Sequence, residues 1–333
     1  MLGIRRREFI TVLGGAMLAR PGLSRSQSPA GAGKRPVIGI LALNASENEN
    51  GLVTAFLDAL AKLGYIDGKT ATIVSLYADG DQRLLPMLAG NLARLKPDVI
   101  MADSTSTVRA VNGATSDIPI VGLMAYPVEQ GLIASFSHPG GNVTGIAIDV
   151  EDMDSKVLGL GMELVPGAKN MGLLVDPDSA ATPLSRSAFE AAANKRGIGF
   201  HAAEAHLPDE LDHAIHRLAD AGAEFVCIAL SGMFTLNMRH IAQTALDLRL
   251  PTITASLVAE KASGVLLGYG IDYRENYQSA AIFIDKILRG AKPTDLPVEF
   301  PTKLELVINM KTAKAIGFTI PTTLLAVADE VIE

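Results

Sequence analysis

Val99-Ile100-Met101-Ala102, with Ser104-Thr105-Ser106-Thr107 close behind it, carries the pattern from which the fold is read. An unbroken apolar run bounded by polar residues fits a strand buried on both faces. Hydroxyl residues directly after such a strand fit the start of a helix, where Ser and Thr satisfy free backbone N–H groups. The same succession recurs along the chain. Apolar runs stand at 37–43, 72–76, 99–102, 119–124, 143–148, 171–175, 225–230, 251–254 and 265–268. Helical spacing fills 52–63, 83–95, 187–196, 211–221, 238–248 and 277–288, and Gly64, Gly197 and Gly290 follow helix ends as stop signals. Strands that are apolar throughout, each followed by a helix, predict an α/β fold of parallel sheets covered on both faces.

The pattern pauses at 149–154 and then begins again, so two similar Rossmann-like lobes joined by a hinge are expected rather than one long sheet. The expected layout places lobe 1 at 36–148 plus 273–292 and lobe 2 at 149–272 plus 293–333. In that layout the helix at 277–288 returns to the first lobe. A strand at 304–308, a short helix from Met310 and a stop at Gly317 belong to the second.

The N-terminus reads as an address. Arg6-Arg7-Glu8-Phe9-Ile10 is a paired-arginine signal, and the apolar run that follows is about half the ~20 residues a membrane span needs. Residues 1–26 are therefore expected to be a cleaved twin-arginine export signal, residues 27–35 a flexible leader, and the periplasm the place of work. Net charge goes from −7 to −11 once the five Arg and one Glu of residues 1–26 are removed. That acidity disfavours nucleic acid and anionic lipid as partners. The single cysteine, Cys227, lies inside an apolar run, which predicts a buried structural thiol; no cysteine near the signal offers a lipid anchor. A freely diffusing monomer is expected.

Catalytic signatures are missing. The chain has no G-x-x-x-x-G-K-[ST], no G-x-G-x-x-G after a strand and no G-x-S-x-G elbow. Pro139-Gly140-Gly141-Asn142-Val143-Thr144-Gly145 precedes a strand and reads as a turn. His206, Asp209, Asp212, His213 and His216 cluster, but on a charged helix that fits a solvated face better than a metal site. No catalytic residue, metal or cofactor is expected. Polar residues do follow nearly every strand, where ligands of open parallel sheets bind. In the first lobe these are Asn44, Ser46, Ser104, Thr105, Ser106 and Tyr126; in the second, Asp178, Ser179, Ser231, Phe234, Ser256 and Tyr269. Hydroxyls and free N–H groups at a helix start suit a carboxylate, and the aromatic residues suit the wall of a small-ligand pocket.

Gly64-Tyr65-Ile66-Asp67-Gly68-Lys69 and Tyr77-Ala78-Asp79-Gly80 resemble the opening of ABC-transporter substrate-binding proteins of the tryptophan/tyrosine-binding type. Pro127-Val128-Glu129-Gln130-Gly131-Leu132-Ile133, the Pro139–Gly145 turn and the tail Lys311-Thr312-Ala313-Lys314-Ala315-Ile316-Gly317 extend the likeness over nearly the whole chain after the signal. The resemblance implies a type I periplasmic-binding-protein fold with a three-crossing hinge. It also implies a small-molecule ligand clamped between the lobes and delivered to an inner-membrane permease with a separate ATPase. One departure is Tyr126, where the family commonly has Asp. An Asp there could pair with a ligand ammonium and Tyr cannot supply that charge, so the expected ligand keeps a carboxylate and lacks the α-amino group, as in an aromatic or branched acid. Two alternatives stand beside uptake: a sensor serving a chemoreceptor or histidine kinase, and an exported enzyme. Similar lobes in cytoplasmic sugar-responsive repressors follow a helix-turn-helix, which does not precede Pro36 here.

Overall fold

The computed structural model describes residues 35–43, 51–148, 150–257, 264–271, 273–301 and 304–333. The expected signal and leader fall outside these residues, apart from Arg35, as do Asn44 and Ser46. Strands β1 (Val37–Ala42), β2 (Thr72–Tyr77), β3 (Val99–Ala102), β4 (Ile120–Ala125) and β5 (Val143–Ile148) form a parallel sheet in the order β2-β1-β3-β4-β5. Strands β6 (Asn170–Val175), β7 (Gly199–Glu204), β8 (Val226–Ile228), β9 (Thr252–Ser256), β10 (Leu267–Ile271), β11 (Leu304–Asn309) and β12 (Glu330–Ile332) form a second. Its order is β12-β11-β10-β9-β8-β6-β7, parallel except where β10 meets β11.

Each sheet is sandwiched because its strands alternate two apolar faces. Ile38, Ile40 and Ala42 of β1 pack under helix α1 (Leu52–Lys62) and the late helix α8 (Tyr273–Leu288), where Phe56, Leu60, Phe283 and Ile284 are buried. Leu41, with Ile100 and Ala102 of β3, faces α2 (Leu85–Arg94) and α3 (Thr105–Ala114) on the other side. In the second sheet, α4 (Val150–Leu164) and α5 (Thr182–Arg196) cover one face, while α6 (Leu211–Asp220) and α7 (Gly232–Asp247) cover the other. Two short helices, α9 (Met310–Ile316) and α10 (Thr322–Val327), close the chain.

Three features differ from the sequence reading. From Val150 on, the pause is the first part of α4, whose cluster of acids masked its helical character; Asp154 is buried there and accepts from Ser185 Oγ at 2.7 Å. Edge strands β7 and β12 carry too little continuous apolar sequence to be read as strands. Residues 293–299 run along the first sheet instead of joining the second. Ala147 N donates to Glu299 O at 2.9 Å, Glu299 N donates to Gly145 O at 3.0 Å, and Thr144 Oγ1 donates to Leu296 O at 2.8 Å. The last crossing therefore follows Glu299, not Lys292. Gly145, the last residue of the glycine-rich motif, lies within β5; it has φ +136°, and a Cβ there would lie 2.2 Å from Gly122 O. That residue is what lets β5 close against β4.

Candidate functional site

Each lobe reverses its strand order once, between β1 and β3 in the first and between β6 and β8 in the second. Such reversals leave a crevice at the carboxyl ends of the strands. Asp103, just past β3, bridges the first crevice: Leu43 N, just past β1, donates to its two oxygens at 3.0 and 3.1 Å. Asp176, just past β6, bridges the second, accepting from Ser231 Oγ beyond β8 at 2.5 Å. Asp176 is 1% exposed, and burial pushes its carboxyl above the ordinary range. Asp103 is half-buried by its neighbours and pushed up to about 6, again because burial disfavours the charge.

The two crevices face one another. A cavity of about 130 Å³ between them is lined from the first lobe by Asp103, Ser104, Thr105, Ser106, Gln82 and Tyr277, and from the second by Ser179, Ser231, Gly232 and Thr235. Leu52, Leu123, Met124, Leu230 and Tyr273 supply its apolar wall. Gln82 Nε2 crosses to Asp176 Oδ2 at 3.1 Å, and Ser106 Oγ accepts from Ala180 N at 3.5 Å, so the lobes touch around the cavity. A second cavity, of about 370 Å³, shares Gln82 and lies among Asp79, Asp81, Asp178, His206 and Leu236.

Helix starts dominate the main cavity. Ser104 caps α3, its Oγ accepting from Thr107 N at 3.3 Å while Thr107 Oγ1 accepts from Ser104 N at 2.8 Å. Ser231 caps α7 by accepting from Met233 N and Phe234 N at 3.1 and 3.4 Å. Ser179 and Ala181 stand at the entry to α5. First-turn N–H groups have no partner inside a helix and carry partial positive charge; the caps take up those of Thr107, Met233 and Phe234.

Of the residues singled out in the sequence, the structure brings Ser104, Thr105, Ser106, Ser179 and Ser231 to this cavity. Thr105 is committed to the fold, its Oγ1 accepting from Ala125 N at 2.8 Å. Asp178 belongs to the second cavity, 3.4 Å from His206 Nδ1. Phe234 does not line the site: it is fully buried in the core under α6 and α7, because its position on α7 turns it inward. Tyr126 does not line it either. With φ at +51° it turns its ring into the second lobe's core, the hydroxyl 3.3 Å from Asp154 Oδ2. Tyr269 sits within β10, opposite Leu306, with Lys156 Nζ 6.0 Å from its ring centroid. Ser256 ends β9 and pairs with Ile271. In the histidine cluster, Asp212 accepts from Thr244 Oγ1 at 2.6 Å and lies 2.7 Å from His240 Nε2, joining α6 to α7. Asp103, Gln82, Tyr273 and Tyr277 were missed, although Asp103 stands at a strand exit like the residues that were named.

Residues 38–332 match the family described as ABC transporter substrate binding protein. The chain belongs to that family. The tyrosine-binding protein of Clostridioides difficile (strain R20291) is 29% identical to this substrate-binding protein over 284 residues, 85% of this chain and 81% of the relative. A conserved domain protein from Vibrio cholerae O1 biovar El Tor superposes with a TM-score of 0.83 at 25% identity, covering 90% of this chain and 100% of that one. An ABC domain from Streptococcus pneumonia, solved in complex with L-Trp, gives 0.81 at 22% identity, with the same coverages of 90% and 100%. The two-sheet architecture is that of a type I periplasmic binding protein. Membership makes this a substrate-binding protein of ABC-transporter type rather than an enzyme, with a small-molecule ligand and a membrane permease as the partners the family implies. Among the described residues no helix is long and apolar enough to cross a membrane.

Proposed function

We propose that this substrate-binding protein works outside the cytoplasm, clamps a small amino-acid-like or aromatic carboxylate between its lobes and delivers it to an inner-membrane permease driven by a separate ATPase. The observation that carries the reading is the convergence of helix starts from opposite lobes, α3 on one side and α5 and α7 on the other, on a single cavity. A carboxylate at a helix N-terminus gains about 0.3–2 kcal/mol, and one gripped from both lobes favours the closed arrangement over the open one. Tyr273 and Tyr277, with Leu123, Met124 and Leu230, give an apolar or aromatic ligand body a matching wall. The relatives named for tyrosine binding and bound to L-Trp point to the same ligand size and chemistry.

Hinge closure supplies the mechanism. The chain passes between lobes near 149, near 272 and after 299, and the Gln82–Asp176 and Ser106–Ala180 contacts form when those crossings bring the lobes together. The paired arginines at Arg6-Arg7 support export of the folded chain.

A thermal-shift series tests the carboxylate clamp, because a ligand bound by the native state alone raises the melting temperature. Tyrosine or tryptophan should raise it, while tyramine and tryptamine, which lack the carboxylate, should not. Equal shifts from an amino acid and its decarboxylated amine would refute the assignment of the helix starts.

A further inference from the structure

We propose that Asp103 receives the ammonium group of the ligand and makes the site selective for amino acids over the corresponding acids that lack the amine. This rests on the reading of the cavity as a carboxylate site and names the second recognition point within it.

Asp103 lines the main cavity, on the first-lobe side, immediately before the Ser104 cap of α3. An α-amino acid carries its ammonium and carboxylate on the same carbon, so a carboxylate acceptor must stand next to the anion-binding helix start. Asp103 stands there by sequence as well as by space. Its protein partners are one backbone N–H and three hydroxyls: Leu43 N is shared between the two oxygens, Thr107 Oγ1 donates to Oδ1 at 3.3 Å, Tyr277 OH donates to Oδ2 at 3.4 Å, and the Ser104 hydroxyl donates as well. Every one of those donors is neutral. Among the described residues no Lys, Arg or His pairs with Asp103, so its charge is held at the cavity wall with no protein counter-ion. Charges buried in this way are ordinarily paired.

The other carboxylate between the lobes is a poorer candidate. Asp176 lines the second cavity and not the main one, and it is bonded within the protein by Ser231 Oγ, Gln82 Nε2 and Asp178 N at 2.5, 3.1 and 3.0 Å. Tyr126 was the position from which a ligand without an amine was inferred. Its ring lies in the second lobe's core, so its lack of charge does not decide what the cavity accepts. The carboxylate at the β3 exit supplies what the β4 exit does not.

Calorimetry on the purified full-length chain tests this with two probes, tyrosine and 3-(4-hydroxyphenyl)propionate, which differ by the amine alone. The wild type should bind tyrosine about 10- to 100-fold more tightly, the range expected for one charge-assisted contact. Asp103→Asn keeps an acceptor for Leu43 N and should abolish or invert that preference; a purely structural role would weaken both probes equally and leave their ratio unchanged. Asp176→Asn should leave the ratio as in the wild type. If Asp103→Asn fails to fold, the wild-type ratio still decides, and Asp103→Glu, which restores the charge, should retain a preference for tyrosine. Equal affinity of the wild type for both probes overturns the proposal while leaving the carboxylate clamp standing. Binding of neither overturns both.

Discussion

Removing the amide of Gln82 should weaken ligand binding without disturbing either lobe. Its Nε2 donates to Asp176 Oδ2 at 3.1 Å across the cleft, and Asp176 is 1% exposed. A hydrogen bond to a charged acceptor contributes about 1.5–3 kcal/mol when fully dry. Gln82 itself is half-buried, so water recovers part of that, and about 1 kcal/mol is the working magnitude. The contact joins the two lobes, so its loss falls on the closed state. Apparent affinity scales with the population of the binding-competent state, so Gln82→Ala should raise Kd for tyrosine about fivefold. Gln82 also lines the main cavity and so has a possible ligand contact of its own. A double-mutant cycle with Asp176→Asn separates the two effects. In the Asp176→Asn background the Gln82→Ala penalty should shrink well below fivefold, and small-angle scattering should show a smaller closed fraction at sub-saturating tyrosine. A full, additive penalty in that background would refute the cross-lobe role, as would an unchanged Kd in the single variant.

Gly145→Ala forces a Cβ to 2.2 Å from Gly122 O at a φ of +136°, so urea unfolding should show a loss on the order of 3 kcal/mol; a loss below about 1 kcal/mol would contradict the close β4–β5 approach. Thr105→Val strips the acceptor from Ala125 N, leaving a buried N–H unpaired, and should cost about 1–3 kcal/mol by the same measurement. Burial raises the Asp103 carboxyl to about 6, against about 3.9 in an unfolded chain. The unfolded chain therefore loses this proton first: the contribution of neutral Asp103 to stability is whole below about pH 4 and lost as pH rises to about 6. A bound ammonium reverses that preference, so tyrosine affinity should climb between about pH 5 and 7; a flat profile would contradict an ionised Asp103 at the site. Cys227 is wholly buried with its thiol pushed up, so iodoacetamide should label it at the rate of unfolding and not before.

The two-lobed plan was legible because central strands of a parallel sheet are buried on both faces. Val99 to Ala102 and Ile120 to Ala125 are buried residue by residue, and nothing but an apolar run fits there. Edge strands escape that constraint, which is why Gly199–Glu204, with His201 and Glu204, went unread. The serines of the cavity were legible for a related reason, since a strand exit that begins a helix needs a cap. Phe234 and Tyr126 were misplaced because position along the chain does not give the direction of a side chain; helix phase turned one inward, and a left-handed backbone turned the other. Tyr277 reaches Asp103 across 174 positions, a separation over which no local pattern has information.

The interleaved path of the chain also bears on how the protein is made. Every strand of the first sheet has been synthesised by Ile148, yet the helix that shares one of its faces with α1 spans Tyr273–Leu288. Until that helix arrives, the part of the face that receives Tyr277, Ala280, Ala281, Phe283 and Ile284 has no cover beside α1. The lobe that begins first is thus completed only after most of the other has emerged, and a nascent or truncated chain ending before residue 273 presents a broad greasy surface to chaperones and to its neighbours.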